Sequence, residues 1–176
     1  GTSVAMPATA TVAGLVAAET ALAEAHDAYL RGQYLMAQRN VSGAVREFEN
    51  ALSLDPDYAL AHAQLAIAYQ LGYLGIDFSD VEAKVLSHAE RAMTLDPSMA
   101  EAHAAAGLLS NGEGNIQGAL RHFEKALEIN PNYADAYTWM ANILENSLGR
   151  YAEVFAVREK ALRLDPLSVV ARFNYV

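Results

Sequence analysis

Histidines and carboxylates are the side chains in this sequence that could hold a metal or move protons. There are five histidines, His26, His62, His88, His103 and His122. No two of them stand four apart, as a helical zinc site requires, and no His-Glu-x-x-His is present. His88 and Glu90, two apart, point to different sides of a helix. Glu47 with Glu49, and Glu145 with Glu153, are carboxylate pairs, but no apolar setting that would push one acid's pKa away from the other's can be read around them. Gly112-Glu113-Gly114-Asn115 is no phosphate loop, because it lacks the Gly-Lys-Ser/Thr ending and a preceding strand. The chain has no cysteine, which excludes disulfides and thiolate metal sites. The expectation is a protein that is not an enzyme, with no catalytic residue, no metal and no cofactor.

The elements that carry these residues are punctuated by a phrase that recurs four times. It reads Ala51-Leu52-Ser53-Leu54-Asp55-Pro56, Ala92-Met93-Thr94-Leu95-Asp96-Pro97, Ala126-Leu127-Glu128-Ile129-Asn130-Pro131 and Ala161-Leu162-Arg163-Leu164-Asp165-Pro166. The prolines lie 41, 34 and 35 residues apart. Upstream, apolar residues fall at helical spacing: Val41, Ala44, Val45, Phe48, Ala51 and Leu52 form one stripe, and Ile116, Ala119, Leu120, Phe123, Ala126 and Leu127 form its equivalent. A proline cannot continue such a helix and biases the residue before it towards extended geometry, so the chain turns at each phrase.

A new helix starts after each turn. Ser98-Met99-Ala100-Glu101 reads as a capping box, Asn132-Tyr133-Ala134-Asp135 as a weaker one, and Asp57 and Ser168 as caps of the remaining starts. Inside each unit a break separates two helices, at Arg39-Asn40, Gly112-Glu113-Gly114-Asn115 and Leu148-Gly149-Arg150, where glycine tolerates the left-handed geometry of a helix end. The product is a row of antiparallel helix pairs. One pair cannot bury its apolar face alone, so the pairs stack. His62 and His103 occupy equivalent places in successive units, which accounts for both without a metal.

Composition narrows the function. The 176 residues are 53% hydrophobic and 19% charged, enough for one folded domain with a core. Acids outnumber bases 21 to 12, for a net charge of −9. A nucleic-acid partner calls for a basic face, and the densest basic stretch, Arg158, Lys160 and Arg163, does not make one. Nucleic acid and anionic membrane are therefore excluded as partners. The uncharged stretch Thr2–Ala18 is interrupted by Pro7 and Gly14 and has no basic leader, so it reads as a tag remnant running into a helix. Lack of cysteine suits cytoplasm and periplasm equally; cytoplasm is favoured.

The pattern resembles the tetratricopeptide repeat, a helix–turn–helix family. Unit three supplies Gly107, Ala119, Phe123, Ala126 and Pro131 at the family's signature places. Unit one supplies Gly32, Ala44, Phe48, Ala51 and Pro56; unit two Leu65, Ala66, Tyr69, Ala92 and Pro97; unit four Tyr137, Met140, Ala141, Ala161 and Pro166. Arg31, Ala106, Ser110, Val154 and Arg158 depart from the pattern. The resemblance implies an all-α, right-handed solenoid of four units, at about 25–58, 59–99, 100–133 and 134–168. A tail and leading helix at 1–24 would precede them, and the start of a further helix at 167–176 would follow. The arrangement is similar to repeat regions of bacterial signalling proteins, implying a piece of a longer regulator.

In that family the first helices line a concave groove that binds a protein or peptide. The groove positions carried over here are His26, Tyr29, Gln33 and Met36; Leu60, Ala63, Ile67 and Gln70; Glu101, Ala104, Leu108 and Asn111; and Asp135, Thr138, Asn142 and Glu145. Units one and two offer an apolar floor, and units three and four offer three acids, so the implied ligand has an apolar part and a basic part. A carboxylate clamp is not implied, because Asn142 stands among acids rather than lysines and arginines. The second unit is seven residues longer than the third, and its extra loop brings Tyr73, Leu74, Ile76 and Phe78, either tucked against the solenoid or contacting a partner. A homodimer through the C-terminal end, at Val169, Val170 and Phe173, is the alternative.

Overall fold

The computed structural model describes residues 12–72 and 78–166. These form eight α-helices: α1 (Val12–Ala37), α2 (Val41–Leu54), α3 (Ala59–Gly72), α4 (Phe78–Leu95), α5 (Ala100–Gly112), α6 (Ile116–Ile129), α7 (Ala134–Asn146) and α8 (Tyr151–Leu164). Consecutive helices pair as α1–α2, α3–α4, α5–α6 and α7–α8, and each pair stacks on the next through α2–α3, α4–α5 and α6–α7. The first helices also meet directly, α3 against α5 and α5 against α7. The result is an all-α superhelix. No helix among the described residues is long and apolar enough to cross a membrane.

The core follows the apolar stripes. Phe48 and Phe123 are wholly buried, as are Leu65, Val85 and the alanines Ala44, Ala51, Ala92, Ala119 and Ala126. Each phenylalanine faces a glycine of its partner helix. A β-carbon on Gly32 would lie 2.4 Å from the Phe48 ring, and one on Gly107 2.8 Å from the Phe123 ring. The glycines are therefore required by close approach and not by backbone conformation.

Breaks within the first, third and fourth pairs each turn on one left-handed residue. Arg39, Gly114 and Gly149 take positive φ, at 61°, 77° and 61°. The Asn40 and Asn115 amides reach back five residues to the Leu35 and Ser110 carbonyls at 2.9 and 2.8 Å, closing a Schellman turn, whereas the Arg150 amide reaches back six, to Leu144 at 2.8 Å, in a wider turn. Asn40 and Asn115 then cap α2 and α6, accepting from the Gly43 and Gly118 amides at 3.0 Å.

At the proline turns the capping differs from the boxes expected from sequence. Met99 and Tyr133, not Ser98 and Asn132, stand at the N-caps, and neither caps with its side chain. The polar residue before the proline serves the turn instead. The Asp55, Asp96 and Asn130 side chains accept from the amides of Asp57, Ser98 and Asn132 at 3.1, 2.9 and 3.0 Å. An Asp or Asn two residues upstream satisfies the amide first, and the Ser98 hydroxyl donates to Asp96 as well. Asp57 pairs with Arg91 of α4. Ser168 lies outside the described residues.

The extra length of unit two falls partly in α4, which runs 18 residues against 14 in α6. Tyr73, Leu74 and Ile76 lie outside the described residues. Phe78 opens α4.

Candidate functional site

The residues expected in the groove divide into three environments. At the starts of α3, α5 and α7, and beside the C-terminal half of α1, is an aromatic and acidic cluster. Tyr29 of α1 packs against Phe48 at 5.9 Å and Tyr58 at 5.2 Å between ring centroids, with His26 at 6.5 Å. Gln33 donates to the Tyr29 hydroxyl at 2.8 Å. Burial pushes the Tyr29 phenol up to about 12, with the charge of Glu101 adding to the shift. Tyr133, which stacks edge-on against Trp139 at 6.0 Å, is also raised, by burial and by the Asp135 and Glu101 carboxylates. Asp135 keeps an exposed edge yet loses water to its surroundings, and its carboxyl is pushed up, with Asp165 adding to the shift and Arg39 opposing it. Glu101 of α5 therefore bears electrostatically on both the Tyr29 and Tyr133 phenols, and Asp135 of α7 on Tyr133.

Midway along the groove the walls are closed. Ile67 is 2% exposed, Leu108 7% and Thr138 5%, and Ala63 and Ala104 are wholly buried. Thr138 stands where the preceding units have these alanines, and its hydroxyl donates to the Ala134 carbonyl at 3.2 Å. Leu60, Met36 and Gln70 are half-buried. These residues form the wall of the concavity, leaving few side chains projecting from it.

At the C-terminal ends of α5 and α7 is a pocket of about 140 Å³. Its apolar lining is Leu108, Phe123, Trp139 and Ile143, and its polar lining is Asn111, Asn142, Asn146 and Ser147. Sequence reasoning named Leu108, Asn111 and Asn142; it missed Trp139, Asn146 and Ser147, whose convergence depends on how α7 sits on α6. Glu145, also expected in the groove, is engaged elsewhere. It takes a two-pronged bond from Arg158 of α8, one arm at 3.2 Å. Arg158 is 8% exposed. That pair explains how α8 tolerates a charge where the other second helices carry Phe48, Ala89 and Phe123.

The histidines form two repeat-related pairs. His62 Nε2 lies 3.0 Å from the Pro56 carbonyl and His103 Nε2 3.2 Å from that of Pro97. Tyr137 donates to the Pro131 carbonyl at 3.3 Å from the same place in unit four. Only a protonated nitrogen can donate to a carbonyl, so in the neutral His62 ring Nδ1 is left to accept, and His88 Nδ1, 2.9 Å away, is its donor in that tautomer. Burial holds His88 down at about 4, helped by His62 and Lys84 and opposed by Glu49. His103 sits beside His122 at 5.8 Å. No group of three or more His, Cys, Asp or Glu able to hold a metal occurs among the described residues.

Comparison with known proteins matches residues 113–147 to the family described as TPR repeat. Among curated proteins, none matches the chain in sequence. Several solved structures share the fold. TTC0263, a thermophilic TPR protein of Thermus thermophilus, is 23% identical over 93% of this chain and 87% of its own, with a TM-score of 0.67. PilF of Pseudomonas aeruginosa is 21% identical over 86% and 66%, with a TM-score of 0.60. The first TPR of Spaghetti (RPAP3), solved with the HSP90 peptide SRMEEVD, is 19% identical over 70% and 93%, with a TM-score of 0.54.

Proposed function

Taking as premise that this chain is a tetratricopeptide-repeat protein, we propose that it is a protein–protein interaction scaffold whose concave groove holds a peptide or partner segment with apolar and basic character. The observation that carries this reading is the cluster at one end of the groove, where the Glu101 charge acts on half-buried Tyr29 and Tyr133 and the Asp135 charge on Tyr133. Tyrosine rings offer contact area at low entropic cost, and the acids favour a cation beside them. The peptide recorded with RPAP3, SRMEEVD, has the opposite charge character. Like charges repel in a groove of this kind, so an acidic peptide is disfavoured here.

In this reading Tyr29, Gln33, Met36 and Leu60 contact the ligand's apolar part, and Glu101 and Asp135 its basic part. Glu145 acts through Arg158 rather than on the ligand. The chain serves as the docking part of a bacterial regulatory protein in the cytoplasm. The test is affinity capture at low salt with the wild type and with a Glu101→Lys, Asp135→Lys double variant. Partners held by the wild type and lost by the variant are the expected result; partners held equally by both would reject the groove acids as recognition elements.

A second reading is favoured by α8, whose Tyr151 and Phe155 are 69% and 61% exposed. Equivalent places in α6 hold Ile116, half-buried, and Leu120, 7% exposed, under the following pair. Self-association through α8 would cover them; Val169, Val170 and Phe173, expected at such a contact, lie outside the described residues. Light scattering across a hundredfold concentration range, with a Phe155→Asp variant, decides: a dimer that persists in the variant is not built on this face.

A further inference from the structure

The pocket at the far end of the groove gives that reading a sharper form, on which this inference rests. Phe123 and Ile143 form a floor that is buried, Leu108 and the half-buried Trp139 form its sides, and Asn111, Asn142, Asn146 and Ser147 bring amides and a hydroxyl to it. Among the described residues, no charged one lines it. An apolar cavity of about 150 Å³ takes a benzene ring, so a volume of about 140 Å³ suits one leucine- to phenylalanine-sized side chain. Amides beside an apolar floor have the donors and acceptors that the peptide groups flanking such a side chain require.

The pocket and the acidic cluster share two helices. Glu101 and Leu108 lie seven apart on α5, and Asp135 and Asn142 seven apart on α7. Residues seven apart lie on one face, two turns or about 10 Å along the axis. An extended peptide covers about 10 Å in three residues. We propose that the cleft between α5 and α7 recognises an extended peptide segment with a bulky apolar side chain in the Leu108–Asn111–Trp139–Asn142 pocket and a lysine or arginine three residues away, at Glu101 and Asp135. The occupant follows from charge complementarity at one end and from size and neutrality at the other.

The test is display selection of random decapeptides on the intact chain, repeated on Asn111→Trp and Asn146→Trp. Both residues are exposed, so either indole fills the pocket from outside the core. A third selection uses Asp135→Lys. The expected result is enrichment of peptides with Leu, Met, Phe or Tyr three residues from Lys or Arg. Their affinity falls at least tenfold on either tryptophan variant, and the basic preference disappears on Asp135→Lys. Enriched peptides that lack this spacing, or that bind both tryptophan variants as tightly as the wild type, would overturn the pocket while leaving groove binding standing. Failure of any peptide to enrich on the folded wild type would overturn both.

Discussion

In the third helix pair Phe123 is wholly buried, opposite a glycine whose β-carbon would crowd its ring; in the fourth, the equivalent residue is Arg158, 8% exposed and bound to Glu145. Both residues stand eight before their proline, as do Phe48 and Ala89. The residue at the facing position of the repeat changes in step: Gly32 opposite Phe48 in unit one and Gly107 opposite Phe123 in unit three, with Ala66 and Ala141 at the equivalent places in units two and four, where the second helices carry Ala89 and Arg158. The same repeat position thus accepts a ring, a methyl or an ion pair, with glycine opposite the ring and alanine at the equivalent place for the other two.

The largest effect expected is on the ring. Phe123→Ala removes a fully buried phenylalanine opposite Gly107 and is expected to cost about 3–5 kcal/mol in urea denaturation. Glu145→Ala leaves the buried Arg158 guanidinium without its partner. Because a third of the Glu145 side chain meets solvent, a loss of about 2–3 kcal/mol is expected, below that of a fully enclosed pair. Equal small losses for both variants would mean that the two pairs do not share a packing problem.

Exchange of one solution for the other sharpens the comparison. Arg158→Phe alone places a ring against Ala141 and is expected to be strained. Added Ala141→Gly recreates the third pair's arrangement, and the double variant is expected to be more stable than the sum of the singles by about 1–2 kcal/mol. Additive effects would show that residue 141 does not face residue 158.

Acid separates unit two from unit four. His88 is held near 4 in the folded chain against an ordinary value of 6.5, chiefly by burial. Its neutral form is the one that folds, so its contribution is full above about pH 6.5 and is lost as pH falls towards 4. Because His88 is only partly buried, solvent screens part of this effect, and a loss of about 1 kcal/mol between pH 7 and 5 is expected; His88→Leu should flatten that slope. The smallest effect concerns Arg39, which takes the left-handed backbone that Gly114 and Gly149 take in the other pairs. Arg39→Gly is expected to gain up to about 1 kcal/mol, read as a rise in Tm.

Much of this architecture is legible in the sequence because its signals are local. Four prolines at near-constant spacing stop four helices, and the stripes around Phe48 and Phe123 give the buried faces. The left-handed turns at Gly114 and Gly149 follow from glycine alone, whereas the one at Arg39 carries no such mark. Capping is harder to read because Asp96 and Glu101 are both spaced to accept the Ser98 amide, and spacing does not say which wins. The site is less legible still. Glu145 and Arg158 are 13 residues apart, and His62 and His88 26; their meeting depends on how two helices pack. Glu145 shares a groove position with Asn111 in sequence but not in role.

Binding of the ligand on the concave face is the central claim. Hydrogen exchange of the whole chain, with and without a decapeptide selected on it, tests this directly. Added protection is expected along α5 and α7, at Glu101–Asn111 and Asp135–Asn146, with α4 and α6 unchanged on their outer faces. Protection confined to α2, α4, α6 and α8 would contradict it.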